Sequence, residues 1–461
     1  MTTQTAGTAS NQAAPQIVVS NPPDFWKNTP AKYRTLRVVG IALALLLCAF
    51  GVNYYLYLAH LSKTIAKDTV PSIVAAEKLR MQLADANAAV ANIFLTKEKD
   101  PDGAYWKAYK HAISSAQQSY LDAAQNITFG AAESRPIYQV MTGLNEFERD
   151  IGAARERGQY GPEVEDAERI MEERIIPATI SLDKANYNEL AYTYNEFTDS
   201  INPSSVGVLF VTLMMAGYLL FAQEIVAKKT NRRFNKGLVV STVMLAAGVT
   251  TYMLAAHIGK ADLKTAKEDA FDSVHAMWRA KATAYEANTD ESLFLLESGN
   301  ADNQARLTKT FTTRAKLIEH QGASNPVKVK QGLPDLGGYI GDELLNVTFD
   351  GEFAPAHKAQ TSWDAYLAVD TKIRQLEQAG RHAEAVTLCL ETGVGGSNAA
   401  FYAFDEAVDK TLAINQNEFG DWTHKANISL TFMLVACLVS VAAMIAGIFF
   451  GFKARLDEYH F

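Results

Sequence analysis

The sequence is short of cysteine, of strand-like alternation and of every common catalytic signature. Its 461 residues include 3 cysteines. Cys48 and Cys437 fall in long apolar runs and Cys389 stands alone between them, so no disulfide can tie a domain outside those runs together. Packing must do it instead. The 9 histidines are scattered, with no HExxH pair and no Cys/His cluster at metal-ligand spacing. No P-loop, GxSxG elbow or GxGxxG stretch occurs. The expectation is a protein that is not an enzyme, with no metal and no cofactor, built from helix.

The most informative feature is a charge gap repeated four times. Residues 38–59, 206–226, 237–257 and 428–452 hold the long apolar runs, each close to the ~20 residues a helix needs to cross a bilayer. Between the second and third, residues 227–236 (AKKTNRRFNK) carry five cations. Short loops rich in Lys and Arg stay in the cytoplasm. Lys27, Lys32, Arg34 and Arg37 precede the first run, and Lys453 and Arg455 follow the last, so each flank expected inside is basic. Tyr54, Tyr55, Tyr57 and Trp422 lie at the opposite ends, where amphipathic rings suit an interface. The first run starts too late and runs too long for a cleaved signal peptide, and lacks a small-residue cleavage site. Four plasma-membrane spans with both termini cytoplasmic follow from this pattern.

The cytoplasmic pieces are then a tail (1–37, expected disordered), the loop 227–236 and an end at 453–461. The two extracytoplasmic segments are 60–205 and 258–427, the second with an insertion at 321–352. Taking +3 for the tail with Asp24 and +4 for the loop with Glu224 from the net −8 leaves −15 on those two segments. Nucleic acid is not expected as a partner, since phosphate binding needs a basic face.

Both segments read as helix. Ile73, Ala76, Leu79, Leu83, Ala86, Val90 and Ile93 recur at steps of three and four, with Glu77, Lys78, Arg80, Gln82 and Asp85 on the other faces. Breaks at 99–103, 128–130 and 157–162 divide the first segment into two long and two shorter helices. The second opens with Leu263, Ala266, Ala270, Val274 and Met277 and breaks at 298–300, 321–350 and 380–382. The fold class is all-α: four transmembrane helices and two extracytoplasmic antiparallel four-helix bundles, a tandem span–bundle–span repeat. The repeat reads as architectural, without strong residue identity between halves. Pro203 should interrupt the helix at the end of the first bundle, whereas nothing comparable precedes Ile428.

The stretches 69–95 and 175–190 are similar to the opening and closing helices of chemoreceptor-type sensor bundles. The duplicated layout, RRFN in the inner loop, DESLFLLESGN at 290–300 and the terminal RLDEYHF resemble the actinobacterial GlnX-type four-pass membrane proteins. That resemblance implies a relay: an extracytoplasmic amino-acid-binding lipoprotein is read outside and a cytoplasmic serine/threonine kinase is informed inside. A homodimer is the assembly that chemoreceptor-like bundles suggest; bundles packed within one chain are the alternative.

At about 1.5 Å per residue, a helix leaving the membrane near Ile258 reaches ~55–60 Å out by Asp290, Glu291, Glu297, Ser298 and Gly299. Glu391, Thr392, Gly393, Gly395, Gly396 and Asn398 should reach the same tip. Together they suggest a docking surface; the plainer reading is a solvated helix end and a turn. The insertion, apolar at Leu333, Leu336, Tyr339, Ile340, Leu344 and Leu345, reads as short helices on the bundle or as a partner flap. Inside, Arg232, Arg233 and Lys236 are topology determinants and contacts for membrane lipid. With Arg455, Leu456, Asp457, Glu458 and Tyr459 they are also the candidate output surface. Transport would predict polar or broken spans, and these are plain. The reading is a membrane sensor or relay, with a membrane scaffold or assembly factor as the alternative.

The topology is directly testable. Cysteine at Gln159 or Gln378 should label from outside in intact cells, and cysteine at Asn235 should not. Outside labelling within 227–236 would invert the whole assignment.

Overall fold

The computed structural model describes residues 29–125, 127, 130–199, 202–230, 234–322 and 335–459. The first half runs α1 (Thr29–Lys63), a π-helical turn (Thr64–Thr69), α2 (Val70–Thr96), α3 (Ala104–Gln125), α4 (Ala131–Arg157), α5 (Pro162–Ile170), a second π turn (Met171–Ile175), α6 (Ile176–Thr198) and α7 (Pro203–Thr230). The second half runs α8 (Lys236–Lys264), a third π turn (Thr265–Phe271), α9 (Asp272–Leu296), α10 (Ala301–Ile318), α11 (Gly338–Asn346), α12 (Phe353–Gln378), α13 (His382–Leu390) and α14 (Ser397–Leu456). Among the described residues the only strands, β1 (His320–Gln321) and β2 (Leu336–Gly337), form a two-residue antiparallel pair. Among the described residues four helices are long and apolar enough to cross a membrane.

Local chemistry explains the breaks. Gly158 takes φ 71° after α4, and Pro162 opens α5, the arrangement that ends one helix and starts the next. Asp199 leaves the helical region with ψ 129° and Pro203 restarts the chain as α7. By contrast α14 continues for 60 residues without interruption.

The chain divides into two compact units. One comprises residues 54–202 and 253–434; the other comprises the described parts of 1–53, 203–252 and 435–461. In the span unit, α8 and α14 lie backbone to backbone. A Cβ on Gly237 would stand 2.3 Å from the Gly447 carbonyl oxygen and 2.5 Å from Gly451 Cα. Ser241 Oγ donates to the Met444 carbonyl at 3.1 Å and Asn235 Nδ2 to that of Gly451 at 2.9 Å. Small residues and cross-helix hydrogen bonds are what hold helices together where no water drives association. Asn235 is only 5% exposed and Phe234 is 70% exposed, so Phe234 is the better labelling position.

In the larger unit the two predicted bundles meet along α2 and α9. The apolar stripe expected on α2 is buried throughout, as are Leu263, Ala266, Ala270, Val274 and Met277 in the second half. The helix is also buried on a face that the sequence leaves polar: Glu77, Arg80 and Asn87 are 1%, 5% and 2% exposed. The cause is α9. Arg80 Nε donates to Glu286 Oε1 at 2.6 Å and Arg80 Nη2 to Thr283 at 3.1 Å, while Thr289 Oγ1 donates to the Ala84 carbonyl at 3.0 Å. Pairings that ascend together make α2 and α9 parallel.

This pairing exposes an internal repeat that the sequence reading misses. An offset of 201 places Thr64 on Thr265, Asp68 on Asp269, Ser72 on Ser273, Ala86 on Ala287 and Asn87 on Asn288. Arg80 then matches Lys281, and Asp85 matches Glu286. Arg80 binds Glu286, whereas its counterpart Lys281 binds Asp405 and Asp409 and acts on Asp85 only electrostatically, so the repeat is carried by sequence position more than by identical pairing. The identities fall mostly on small and polar residues, which hydrophobic periodicity ignores.

Glu286 is shared. Its Oε2 accepts from Arg314 Nε at 3.0 Å, and Arg314 also binds Asp290 and Glu172, both at 2.6 Å. The chain Glu77–Arg80–Glu286–Arg314–Glu172 thus links α2, α9, α10 and the second π turn through groups taken out of water, all but the part-exposed Glu172 at its end. Removing one member strands its partners, at ~3–5 kcal/mol. Arg80→Met is expected to lower unfolding stability by about that much, measured by thermal or denaturant unfolding of the full chain. Lys410→Ala, which breaks an exposed pair with Glu406, should leave the transition in place. Equal effects would mean that the buried chain is not stabilising.

Candidate functional site

A cavity of about 660 Å³ opens between α6, α9 and α11. Helical spacing builds its walls: Asp183 and Tyr187 are one turn apart on α6, as are His275 and Arg279 on α9, and Tyr339 and Asp342 face them from α11. The described part of the insertion beyond residue 334 therefore forms a short helix against the bundle, with Ile340 and Leu344 buried. Asn346 fastens it there. Its Nδ2 donates to the carbonyls of Glu268 and Asp269 at 3.0 and 2.9 Å and to Ser273 Oγ at 3.1 Å. Those carbonyls belong to the third π turn, whose wider hydrogen-bond register leaves acceptors over.

Most charged groups in the cavity are held in place. Lys267 Nζ lies 3.0 Å from Asp272 Oδ2. The Arg279 guanidinium stacks 4.5 Å above the Tyr339 ring. His275 Nε2 is 2.9 Å from Asp183 Oδ1, and its imidazole is stacked with Tyr187 (centroids 4.8 Å) and Phe271 (5.9 Å). Behind them, Glu77 from α2 brings its carboxylate into the same spot, so that one ligand atom each from Glu77, Asp183 and His275 lies within 4.8 Å of the others. Lys184 and Asp342 remain exposed at the rim. Cations and carboxylates of this kind can hold a small polar solute. None of these residues is visible as a site in sequence, because they come from three separate helices and an insertion.

The expected outer surface differs from its expectation. Asp290 and Glu291 are 1% and 0% exposed and Glu297 is 8% exposed, so these carboxylates cannot form an exposed docking face. Asp290 pairs with Arg314, Glu291 accepts from Ser397 at 2.7 Å, and Glu297 accepts from Tyr160 and Asn303. The helix carrying them has neighbours on every side, which a charge pattern alone does not reveal. Ser298, Gly299, Glu391, Thr392, Gly393 and Gly395 are exposed, while Gly396 is buried and Asn398 is half-buried, donating to the Leu390 carbonyl. The Ser397–Glu291 bond does bring the two segments together, as expected, but through their inner faces.

Of the proposed output residues, Lys236 is exposed at the start of α8. Arg232 and Arg233 lie outside the described residues, as does part of the insertion (323–334, including Leu333). Arg455 and Leu456 are 8% and 7% exposed, so they pack back rather than presenting themselves; Arg455 Nη1 binds Glu458 at 2.6 Å. A single 3₁₀ turn (Asp457–Tyr459) follows.

Residues 62–195, from the end of α1 through most of α6, match a protein family described as an actinobacterial sensor domain. No curated protein and no solved structure gives a significant match. The match covers this segment, less than a third of the chain, and describes it as a sensor domain; among the described residues four spanning-length helices accompany it.

Two buried carboxyls in this unit give a pH signature. Burial, then the neighbouring Glu297 carboxylate, pushes Glu168 up to about 8; burial, then Glu352, pushes Glu343 up to about 8. Their usual value is 4.5. The folded state therefore holds protons that the unfolded chain releases, and stability falls as pH rises from the unfolded value through the folded one. Unfolding temperature is expected to drop between pH 5.5 and 8.5, and Glu168→Gln to flatten that slope and raise stability at the alkaline end. An unchanged slope in the variant would remove Glu168 from the explanation.

Proposed function

We propose that this protein is a non-enzymatic four-pass membrane sensor that passes an extracytoplasmic signal to a cytoplasmic partner. The signal is amino-acid availability, read through an amino-acid-binding protein, and the receiver is a serine/threonine kinase. The observation that carries the reading is the joining of the sensor-domain segment to the second half. Its α2 is buried against α9 through Arg80 and Glu286, and its α6 forms one wall of a cavity whose other walls are α9 and α11. A change at that cavity acts on both halves at once. Carboxylates and cations in its lining suit recognition of small charged solutes or of a charged protein loop.

The unbroken α14 supports the second half as the stiffer transmitter, because the first half is interrupted between Asp199 and Pro203. The basic flanks favour the larger unit being outside. Output then leaves through short peptides: the loop at 227–236, or the end after Lys453.

The test is co-purification of the full chain from native membranes with and without added amino acids. An amino-acid-binding protein and a serine/threonine kinase should be recovered, with kinase output dependent on the amino acid. Arg232→Gln with Arg233→Gln, or truncation after Lys453, should abolish that output for at least one of the two changes while outer binding persists. Because truncation removes the buried Arg455 and Leu456, its thermal transition must be checked alongside. Recovery of neither partner, or amino-acid-independent association with normal output from both variants, would favour a scaffold.

A further inference from the structure

Glu77, Asp183 and His275 form the most concentrated set of metal-ligating groups among the described residues. They are 1%, 6% and 8% exposed, and they arrive from α2, α6 and α9. Ligand atoms around a tetrahedral zinc at ~2.0–2.2 Å stand roughly 3.3–3.6 Å apart. A set already within 4.8 Å closes to that spacing by modest side-chain rotation. We propose that these three residues are a divalent-cation site of the Zn²⁺ class, with its remaining coordination position opening onto the cavity.

Three features favour an ion over a purely structural cluster. His275 Nε2 already points at Asp183 Oδ1, and ring stacking with Tyr187 and Phe271 fixes the imidazole plane. The charges also match. Two carboxylates and a neutral imidazole around a divalent ion sum to zero, which suits a site withdrawn from water. Arg80 is shared between Glu77 at 3.3 Å and Glu286 at 2.6 Å, the closer Glu286 taking up most of its charge. Finally, Asp183 and His275 line the 660 Å³ cavity, which gives an ion an entry path and room for water or an anionic group of a solute.

The donor set selects the ion. Imidazole with carboxylates suits a first-row transition ion such as zinc, whereas Mg²⁺ and Ca²⁺ favour all-oxygen shells. A bound ion would join α2 and α6 of the first half to α9 of the second, and so stabilise the closed arrangement by mass action. This inference stands on the three-residue geometry and does not depend on the amino-acid reading.

The experiment uses the full chain in nanodiscs, stripped with a chelator and titrated with ZnCl₂ alone by calorimetry and elemental analysis, then with CoCl₂ by visible absorption. One ion per chain is expected, with a raised thermal transition and no competition from equimolar Mg²⁺. His275→Gln and Asp183→Asn should each weaken binding by ~100-fold or more, given that loss of even an outer-shell partner costs 10–100-fold. Cobalt bands stronger than those of the aqueous ion are expected. Zinc binding that persists unchanged in both variants, or no stoichiometric uptake, would overturn the site. Should a variant fail to fold, the wild-type cobalt spectrum decides: an aqueous-like spectrum, or a near-ultraviolet thiolate band placing the ion at a cysteine, rejects the assignment.

Discussion

The larger unit depends on a buried contact between like elements of two similarly laid-out halves, α2 against α9, with Arg80 and Glu286 at its centre. Each helix is amphipathic in sequence, yet each is covered on more than one side, because each serves its own bundle and the other's. Charged side chains that would be solvated in an isolated bundle are here drawn inward. They persist because each is matched: Arg80 by Glu286 and Glu77, and Arg314 by Glu286, Asp290 and Glu172. Such a chain is intolerant of single losses and fixes the register between the halves. The register it fixes is the one the 201-residue offset describes.

The cavity follows from that register. α6, α9 and α11 line it, with Ile340 and Leu344 of α11 buried, and its wall carries polar groups from both halves. A sensor bundle standing alone would lack two of those walls. Duplication within one chain therefore creates a site that neither half contains. It also gives one chain the kind of helix-on-helix pairing that two copies of a single bundle would otherwise supply.

Much of the fold is legible in the sequence and less of the site. Four uncharged runs, the breaks at Gly158–Pro162 and before Pro203, and the stripe from Ile73 to Ile93 follow from hydropathy, turn chemistry and period. The second buried face of α2 does not, because Glu77, Arg80 and Asn87 look like a solvated surface until their partners are known. The same reasoning misplaces Asp290 and Glu291, whose carboxylates point into a packed interior. Glu77, Asp183 and His275 escape motif reading altogether, since their proximity exists only after three helices assemble. The internal repeat is present in the sequence but rides on Ser, Asn and Asp, residues that hydrophobic patterning passes over.

Native-state hydrogen exchange on the full chain in nanodiscs tests the central claim most directly. If α2 and α9 form one cooperative core, amides across residues 70–96 and 272–296 should open together, at the highest free energy of the larger unit, and Arg80→Met should lower both by the same amount. Exchange of one helix while the other stays protected, or a loss confined to α2 in the variant, would contradict it and leave two independent bundles.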